Sequence, residues 1–511
     1  MSKELAELLF PDVKKTVEYY LKMYPERKLP KGAEVLRLAP SPTGYLHLGH
    51  FYSAFIQFLA TKKTDGVFYL RLEDTDQKRE VKGAGDVAYR GLVSFGIVAD
   101  EGYRGDSMME IGEYGPYVQS KRVDIYKTFV KQLVANGRAF PCFCEKAKDK
   151  QEVMERREQQ LEKFEEIAEK DPCRDLILDE VKKNIEKKKP FAIRLKSFGD
   201  GEKSRNVVDL FKGSREIKEN AKDIILLKSN GIPPYALAHL CDDVLMRTTK
   251  VIRGEDWYPS LPAHIELFEA AGFTPIQYGH APVICTLDKT TGNKRKLSKR
   301  YDPHADMRYY VQEGYPIQSV QEYLLTIANS DFELWRIANP DKSFWDFDFE
   351  LSKVGSNNPM FDMAKFDNIS KNVIAKMTCE QINAEVKSFF EGTKIDMDKM
   401  YAVLAIDRET PKPRKDIVKY SDIPVLYSYI FKDEGVGSLV ARDYGKVYKH
   451  SDSKEAWFAR IKEQCGKTGI SVRDYTAAIR QALAGRENTV DLYAIMQIIG
   501  EKETLKRLGK A

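Results

Sequence analysis

Hydrophobic positions change their spacing twice between residues 34 and 72. Val35, Leu36 and Leu38 form a short apolar run with strand character, followed by a segment containing two prolines and a glycine. From Phe51 the apolar residues recur at helical spacing, and residues 67–72 form a second run typical of a buried strand. Strand, helix and strand in this order predict a right-handed βαβ unit, which begins a doubly wound parallel sheet.

The next part of the chain has the pattern of an insertion into that sheet. Residues 121–136 predict a helix, and the Glu/Lys pairs of the charged span 145–189 suit an exposed helix. Residues 191–195 and 207–211 have strand character, and the sheet resumes after residue 231. The predicted fold is a Rossmann-type doubly wound parallel sheet, split by an α/β insertion and followed by a mainly α-helical C-terminal half.

Six domains are predicted from these patterns. Helical spacing dominates the C-terminal half, in residues 379–406, 423–442 and 453–508. The predicted domains are an N-terminal helical extension (1–33), the first half of the Rossmann domain (34–116), the insertion (117–231), the second Rossmann half (232–300), a helical domain (301–370) and a C-terminal helical domain (371–511).

Composition narrows the class of protein. The chain has 511 residues, too many for one domain, and its 42% hydrophobic and 31% charged content is typical of a soluble protein with an ample core. A net charge of +5 gives no overall basic field, so any nucleic-acid surface must be local. Seven scattered cysteines, an N-terminus without the apolar core of a signal peptide, and no apolar run of about 20 residues predict a reduced, cytoplasmic protein.

Candidate chemistry is concentrated first in residues 37–50, which read Arg-Leu-Ala-Pro-Ser-Pro-Thr-Gly-Tyr-Leu-His-Leu-Gly-His. The predicted helix begins there, and the free N–H groups and positive dipole end of a helix N-terminus favour phosphate. His47 and His50 can add hydrogen bonds to that charge, and Gly49 lets a purine or ribose approach the backbone. The alternative is that the two histidines simply cap the helix.

A second candidate motif lies in residues 289–300, Lys-Thr-Thr-Gly-Asn-Lys-Arg-Lys-Leu-Ser-Lys-Arg. A lysine-rich loop is usually a solvated turn. Residues 37–50, however, resemble the ATP-binding signature of class I aminoacyl-tRNA synthetases, with the lead-in of the bacterial-type glutamyl-tRNA synthetases. Residues 296–300 resemble the Lys-Met-Ser-Lys-Ser element of the same class, in the variant that ends in arginine.

The resemblance implies adenylate formation, in which a carboxylate attacks the α-phosphate of ATP and pyrophosphate leaves. Lysines beside the pyrophosphate would stabilise charge that develops in the transition state. Mg²⁺ is expected with the nucleotide, and Lys299 is the foremost catalytic candidate. The predicted catalytic residues are His47, His50, Lys296 and Lys299, and the predicted ATP-binding residues are His47, Gly49, His50, Asp256, Trp257, Leu297 and Lys299.

A glutamate pocket needs two cations and one anion, because the substrate has two carboxylates and one ammonium. Arg37 precedes the motif loop, Arg253 follows a strand, and Glu73 ends another strand. An arginine can bind a carboxylate through two parallel hydrogen bonds, although Arg253 could instead form a surface ion pair with Glu255 or Asp256. Which arginine binds which carboxylate stays open. The resemblance implies these substrate-binding residues: Arg37, Ala39, Ser41, Glu73, Tyr235, His239 and Arg253.

Three positions qualify the resemblance. His239 stands where the family usually has asparagine, and Asp256 replaces a common glutamate near ATP. Some bacterial members hold zinc through Cys-x-Cys and Cys-x-His, and Cys142, Cys144 and Cys173 could supply such ligands. Asp175 occupies the place of the histidine, so a carboxylate or water would have to complete the site. Structural zinc favours full Cys/His sets, and the prediction is that no metal is bound here.

The resemblance predicts a glutamate–tRNA ligase that uses glutamate, ATP and tRNA(Glu). In the family the insertion grips the tRNA acceptor end, and the helical domains contact the stem and the anticodon. A monomer without membrane association is expected. The alternatives are a non-discriminating enzyme that also charges tRNA(Gln), a glutaminyl-tRNA synthetase, a shorter relative that glutamylates a modified tRNA base, and a tRNA-binding protein without catalysis.

Overall fold

A computed structural model describes residues 2–42, 46–75, 81–105, 109–144, 171–288, 290–431 and 444–509. It divides into two compact units, Met1–Met307 with Leu324–Phe361 and Arg308–Tyr323 with Asp362–Ala511. This division is coarser than the six predicted domains, whose boundaries stay a prediction.

The strands are short and lie within the first unit. They are β1 (Val35–Leu38), β2 (Val67–Leu70), β3 (Glu101–Tyr103), β4 (Glu110–Ile111), β5 (Ala139–Cys142), β6 (Ala192–Leu195), β7 (Ser204–Asp209), β8 (Gly213–Lys218), β9 (Ile225–Leu227), β10 (Lys250–Gly254), β11 (Gln277–Ala281), β12 (Cys285–Leu287) and β13 (Lys294–Lys296).

The helices occur in both units, and one-turn helices connect some of them. In chain order they are α1 (Ser2–Leu9), α2 (Val17–Met23), α3 (Leu48–Lys63), α4 (Ala84–Ser94), α5 (Val123–Ala135), α6 (Leu178–Glu186), α7 (Tyr235–Leu245), α8 (Leu261–Ala270), α9 (Met307–Glu313), α10 (Ile317–Ala328), α11 (Asp331–Ala338), α12 (Met363–Lys376), α13 (Cys379–Phe389), α14 (Met397–Ala405), α15 (Ile423–Leu426), α16 (Ser428–Phe431), α17 (Lys454–Thr468), α18 (Val472–Ala484), α19 (Leu492–Ile499) and α20 (Glu501–Arg507).

The predicted βαβ unit is present as β1, α3 and β2. Strands β1 and β2 pair in parallel, with Arg37 opposite Tyr69, and β3 extends the parallel sheet on the far side of β2. Helix α3 buries Phe51, Phe55 and most of its other apolar residues. Parallel strands with an intervening helix must have both faces covered, which explains why β1 is buried along its whole length.

The second half of the domain repeats this arrangement with α7, β10, α8 and β11. Strands β10 and β11 are parallel, and Arg253 is opposite His280. The two halves meet where Thr249 donates its backbone N–H to the carbonyl of Val35 at 3.0 Å, and Val35 donates its own N–H to Thr249 Oγ1 at 3.0 Å. The carboxyl ends of β1 and β10 therefore face the same region, where open α/β sheets bind ligands.

The insertion has two small antiparallel sheets. Strands β5, β6 and β9 form one, and the hairpin of β7 and β8 forms the other. The predicted strand at 207–211 begins and ends earlier, as β7, because Asp209 turns the chain into β8. Of the charged span 145–189, residues 145–170 lie outside the described residues, and the remainder contains α6.

The N-terminal extension forms α1 and α2, which pack against α5. Arg27 then pairs with Glu101 through two hydrogen bonds of 2.8 and 3.0 Å and donates to the carbonyl of Met246 at 3.1 Å. The extension thus contacts both halves of the Rossmann domain, as well as the first helix of the insertion.

The second unit is helical, as predicted. The pattern at 379–406 corresponds to α13 and α14, that at 453–508 to α17 through α20, and that at 423–442 to α15 and α16, with residues 432–443 outside the described part. Among the helices described, none is both long enough and apolar enough to cross a membrane.

Candidate active site

A cavity of about 600 Å³ opens at the carboxyl ends of β1 and β10, beside the N-terminus of α3. All the predicted ATP and substrate residues line it except His239. The lining includes Arg37, Ala39, Ser41, His47, Gly49, His50, Glu73, Tyr235, Arg253, Asp256, Trp257, Lys296, Leu297 and Lys299. Residues distant in sequence are therefore brought to one sheet edge, as the fold prediction requires.

His47 and His50 cap α3 reciprocally. His50 donates its backbone N–H to His47 Nδ1 at 3.3 Å, His47 donates its backbone N–H to His50 Nδ1 at 3.3 Å, and the rings stack 3.8 Å apart. Because each Nδ1 is an acceptor, a neutral ring carries its proton on Nε2. Helix capping and ligand binding are thus compatible, since each ring keeps a donor.

Burial and nearby lysines keep both imidazoles neutral. Burial, followed by Lys299 and Lys296, lowers the pKa of His47 to about 4. Burial, followed by His47 and the same lysines, lowers the pKa of His50 to about 3. The rings can therefore act as uncharged Nε2–H donors, while the positive charge at this end of the cavity comes from the lysines.

Gly49 leaves room for the ring of its neighbour His47. A Cβ at this position would lie 3.0 Å from Cε1 and 3.1 Å from Nδ1 of the His47 ring. Such contacts are closer than ordinary packing tolerates. The glycine lets the imidazole of His47 lie over the first turn of α3.

The Lys-Leu-Ser-Lys-Arg segment begins at the last residue of β13 and is anchored by an acid that the sequence analysis missed. Asp302 pairs with Arg295 through bonds of 2.7 and 2.8 Å and accepts the backbone N–H of Ser298 at 2.9 Å. Lys296 forms an exposed ion pair of 2.5 Å with Asp256. A substrate phosphate would compete for Lys296 with a solvent-screened carboxylate, which costs little to displace.

Arg37 belongs to a buried ion pair. Its Nε lies 3.2 Å from Asp243 Oδ1, and its NH1 donates to the carbonyl of Ile252 at 3.2 Å. Asp243 also accepts from Arg71 at 2.7 Å. Although burial opposes the shift, Arg37 and Arg71 hold the pKa of Asp243 well below its usual range.

The same network extends behind the cavity. Arg71 pairs with Glu73 at 3.0 Å, and Arg122 pairs with Asp242 at 2.6 Å. Burial raises the pKa of Glu73, although Arg71 opposes that shift. The network thus contains three guanidinium groups, those of Arg37, Arg71 and Arg122. They face three carboxylates, those of Glu73, Asp242 and Asp243, so the formal charges are equal and opposite.

Arg253 has different partners. Its Nε donates to His280 Nε2 at 3.0 Å, its NH1 lies 2.9 Å from His264 Nδ1, and its NH2 donates to the Trp257 carbonyl at 3.5 Å. Its side chain is 6% exposed. The alternative ion pairs are not formed, since Glu255 pairs with Lys212 and Asp256 with Lys296. Among the described residues, no carboxylate is paired with this guanidinium.

Aromatic rings form the wall between Arg37 and Arg253. Tyr235 lies 4.3 Å from the Trp257 ring and stacks on His239 at 5.3 Å. His239 is fully buried, with Nδ1 2.5 Å from Asp243 Oδ2 and Nε2 2.8 Å from the Tyr278 hydroxyl. Both of its ring nitrogens therefore have hydrogen-bond partners within the protein. His239 does not itself line the cavity but lies behind Tyr235, which does.

The sequence analysis missed the groups that hold the site residues. Asp243 could have been found, because it lies four positions after His239, and residues at that spacing share one face of a helix such as α7. His264 and His280 had no such signal, since their proximity to Arg253 depends on how α8 and β11 pack against β10.

The cysteine cluster lies apart from this cavity. Ligand atoms of Cys142, Cys144, Asp171 and Cys173 all lie within 4.8 Å of one another, which makes the cluster a possible metal site. The carboxylate is Asp171; Asp175 forms an ion pair with Lys196 instead. Asp171 also pairs with Arg194 at 2.9 Å. The absence of zinc predicted from the sequence stays a prediction.

The fold and the cavity define the catalytic domain of a class I tRNA synthetase. A family model described as "tRNA synthetases class I (E and Q), catalytic domain" matches residues 35–362, and one described as "Anticodon binding domain" matches residues 448–511. The chain belongs to the class I tRNA synthetases of the E and Q family. The predicted family and fold class are confirmed.

Relatives extend this likeness over the whole chain. The protein named "Glutamate--tRNA ligase" from Clostridium perfringens (strain SM101 / Type A) is 40% identical, covering 99% of both chains. One of the same name from Acetivibrio thermocellus is 39% identical, again covering 99% of each. A glutamate tRNA ligase structure from Elizabethkingia meningosepticum, solved with its amino acid, is 25% identical with a TM-score of 0.74, covering 93% of this chain and 98% of that one.

Proposed function

We propose that the protein ligates L-glutamate to tRNA(Glu) through a glutamyl-adenylate intermediate. The observation that carries this proposal is Arg253, a buried cation on the cavity wall held by imidazoles and a carbonyl. A buried charge without a counter-ion is costly, and a substrate carboxylate would supply that counter-ion. The relatives named glutamate–tRNA ligases support the same conclusion.

ATP is proposed to bind at the α3 end of the cavity. His47 and His50 would donate Nε2–H bonds to the phosphates, and Gly49, which also lines the cavity, would leave room for the His47 ring. Lys296 and Lys299 would stabilise charge moving onto the pyrophosphate, with Mg²⁺ arriving on the nucleotide. Asp256, Trp257 and Leu297 complete the proposed nucleotide site.

Glutamate is proposed to lie between β1 and β10. Arg37 and Arg253 would bind its carboxylates, and Glu73 its ammonium group. Tyr235, Ala39 and Ser41 would form the rest of the pocket wall. His239 would act from behind, by supporting the Tyr235 ring and the carboxylate of Asp243.

The tRNA contacts are proposed from the domain order. The insertion (117–231) would hold the acceptor end, residues 301–370 the stem, and residues 371–511 the anticodon, in keeping with the anticodon-domain match. We further propose a monomeric, cytoplasmic enzyme that needs no zinc. All seven cysteines lie in the described part of the chain and are free thiols, which suits a reducing compartment.

The test is aminoacylation of purified glutamate and glutamine tRNAs with labelled glutamate. Charging of tRNA(Glu) is expected, and its absence would contradict the proposal. Charging of tRNA(Gln) as well would identify the non-discriminating form. Glutamine should be a poor substrate in the same assay, because its amide leaves an arginine without a counter-ion. Efficient use of glutamine would instead favour a glutaminyl enzyme.

A further inference from the structure

The hairpin of β7 and β8 contacts strand β11 through Asp209. The side chain of Asp209 is fully buried. Its Oδ1 accepts the backbone N–H groups of Phe211 and Lys212, both at 3.0 Å, which forms the hairpin turn. Its Oδ2 accepts the backbone N–H of His280 at 3.1 Å and lies 2.6 Å from His280 Nδ1. Oδ1 thus forms the turn and accepts a longer bond of 3.3 Å from the His280 N–H, and Oδ2 makes the closer contacts to His280 on β11.

This contact fixes which nitrogen of His280 carries the proton. A carboxylate oxygen only accepts, so Nδ1 must be the donor to Asp209, and Nε2 of the neutral ring is left as an acceptor. Burial lowers the pKa of His280, although Asp209 opposes the shift, which is consistent with a neutral ring. Nε2 is the atom that receives the Nε–H of Arg253 at 3.0 Å.

The resulting chain of hydrogen bonds runs from the insertion to the cavity wall. Asp209 orients His280, and His280 orients Arg253, while His264 receives the second edge of the guanidinium at 2.9 Å. Two neutral acceptors fix the direction of the guanidinium without neutralising it. The guanidinium also donates to the Trp257 carbonyl, which is likewise neutral, so Arg253 lines the cavity with its positive charge intact.

We propose that Asp209 and His280 are positioning residues for Arg253 and set the affinity for the amino-acid substrate. This inference rests on the proposed function, in which Arg253 binds a carboxylate of glutamate. It also gives the insertion a direct physical route to the amino-acid site, because Asp209 belongs to the hairpin and not to the Rossmann sheet.

Asp209→Asn tests the proposal, because an amide has one oxygen in place of two. If that oxygen serves the turn, the NH₂ group faces His280 Nδ1 and moves the ring proton to Nε2. The Nε2–H of His280 and the Nε–H of Arg253 then face each other, and neither can accept a hydrogen bond from the other. We expect the KM for glutamate to rise by about tenfold or more, the scale of one lost hydrogen bond to a charged group, while the KM for ATP is unchanged. The assay is pyrophosphate exchange with tRNA present.

Asp200→Asn is the matched control. Asp200 is exposed and forms the same kind of turn just before β7, accepting from Glu202 at 2.9 Å and Lys203 at 2.8 Å, with no histidine among its hydrogen-bond partners. It should leave the KM for glutamate unchanged. Equal effects of the two variants would show that Asp209 only shapes a turn and would overturn the proposal.

A second pair of variants separates positioning from packing. In His280→Gln the side-chain oxygen can still accept from Arg253, whereas His280→Leu fills the space without an acceptor. The KM for glutamate should rise much more in His280→Leu, and equal values would contradict the proposal even if Asp209→Asn does not fold.

The double variant completes the test. Because Asp209 is proposed to act through the tautomer of His280, Asp209→Asn should add little in the His280→Gln background. Full additivity would overturn the proposal. A wild-type enzyme inactive with glutamate would refute the proposed function itself, whereas an active wild type with a normal Asp209→Asn variant would refute only this inference.

Discussion

The two halves of the catalytic domain each place an arginine at the cavity, and they hold it differently. Arg37 on β1 is paired with Asp243, which also binds Arg71. Arg253 on β10 contacts two imidazoles and a carbonyl. Both side chains are nearly fully buried, so the difference lies in the charge of their partners and not in their exposure to water.

This difference gives the two arginines different tasks. Arg37 is compensated in the free protein, so its pair contributes to the structure that joins the two halves. Arg253 retains the desolvation cost of an unpaired cation, and an anionic ligand would relieve it. The sequence analysis treated the two residues as equivalent, and we now expect Arg253 to contribute more to glutamate binding and Arg37 more to stability.

The largest effect on activity is expected from Arg253→Gln. Loss of a buried charge-assisted contact costs about 2–5 kcal/mol, so kcat/KM for glutamate should fall by about 10²–10³-fold. The free energy of unfolding should change little, because no carboxylate partner is left unpaired. Steady-state pyrophosphate exchange with tRNA and urea unfolding measure the two quantities.

Arg37→Gln is the matched comparison. It should also reduce kcat/KM for glutamate, and it should lower the free energy of unfolding more than Arg253→Gln does, because Asp243 loses a partner in a buried site. Equal losses of activity and of stability in the two variants would contradict the different tasks assigned to Arg37 and Arg253. If both keep near-normal activity, the glutamate pocket lies elsewhere.

Lys299→Ala is expected to have the next largest effect. If Lys299 stabilises the moving phosphate charge, adenylate formation should slow by about 10²-fold or more, with much less change in ATP binding. Lys294→Ala is the control, since Lys294 lies on β13 just before the Lys299 segment and donates to the carbonyl of Asn358 outside the cavity. Equal losses of rate and ATP affinity would mean that Lys299 only anchors the nucleotide.

Much of the lining of the candidate cavity could be predicted because its signals are local. The helix start at His47 and the lysines of 296–300 depend on spacing along the chain, and their residues all line one cavity. The burial of His239 behind Tyr235 could not be predicted, because it depends on how Tyr278 of β11 packs against α7. The strand at 207–211 was misplaced, since the turn formed by the Asp209 carboxylate ends the strand although the apolar pattern continues to Phe211.

The partners of the arginines were the least predictable feature. Ion pairs with Glu255 or Asp256 were the alternative that sequence proximity offered for Arg253, yet those acids bind Lys212 and Lys296. Arg37 is paired with an acid 206 positions away. Such long-range electrostatic partners depend on how the two Rossmann halves pack against each other. The sequence pattern of either half alone does not contain that information.

A smaller effect concerns pH and stability. The pKa values of His47 and His50 in the folded protein, about 4 and about 3, lie below the ordinary value of 6.5. Below about pH 6.5 the unfolded chain therefore binds protons that the folded protein does not. The free energy of unfolding should fall as the pH is lowered from about 6.5 towards about 4.

Replacement of one imidazole isolates its share of this pH dependence. His50→Gln cannot titrate, so its free energy of unfolding should decline less steeply than that of the wild type between neutral pH and about pH 4. Urea unfolding at a series of pH values measures both slopes. Identical slopes would show that His50 titrates normally in the folded protein and would contradict its assignment as a neutral donor.

The smallest effect is expected at the cysteine cluster, which lies in the insertion, away from the cavity. Metal analysis of protein purified without chelator should give clearly less than one zinc per chain, because structural zinc favours full Cys/His sets and Asp171 is already paired with Arg194. Cys142→Ser should accordingly leave aminoacylation and the unfolding midpoint close to those of the wild type. One zinc per chain, lost in Cys142→Ser together with stability, would instead make Cys142, Cys144, Asp171 and Cys173 a structural metal centre. The structure supports a zinc site more strongly than the sequence does, because Asp171, which was not among the predicted ligands, lies beside the three thiols.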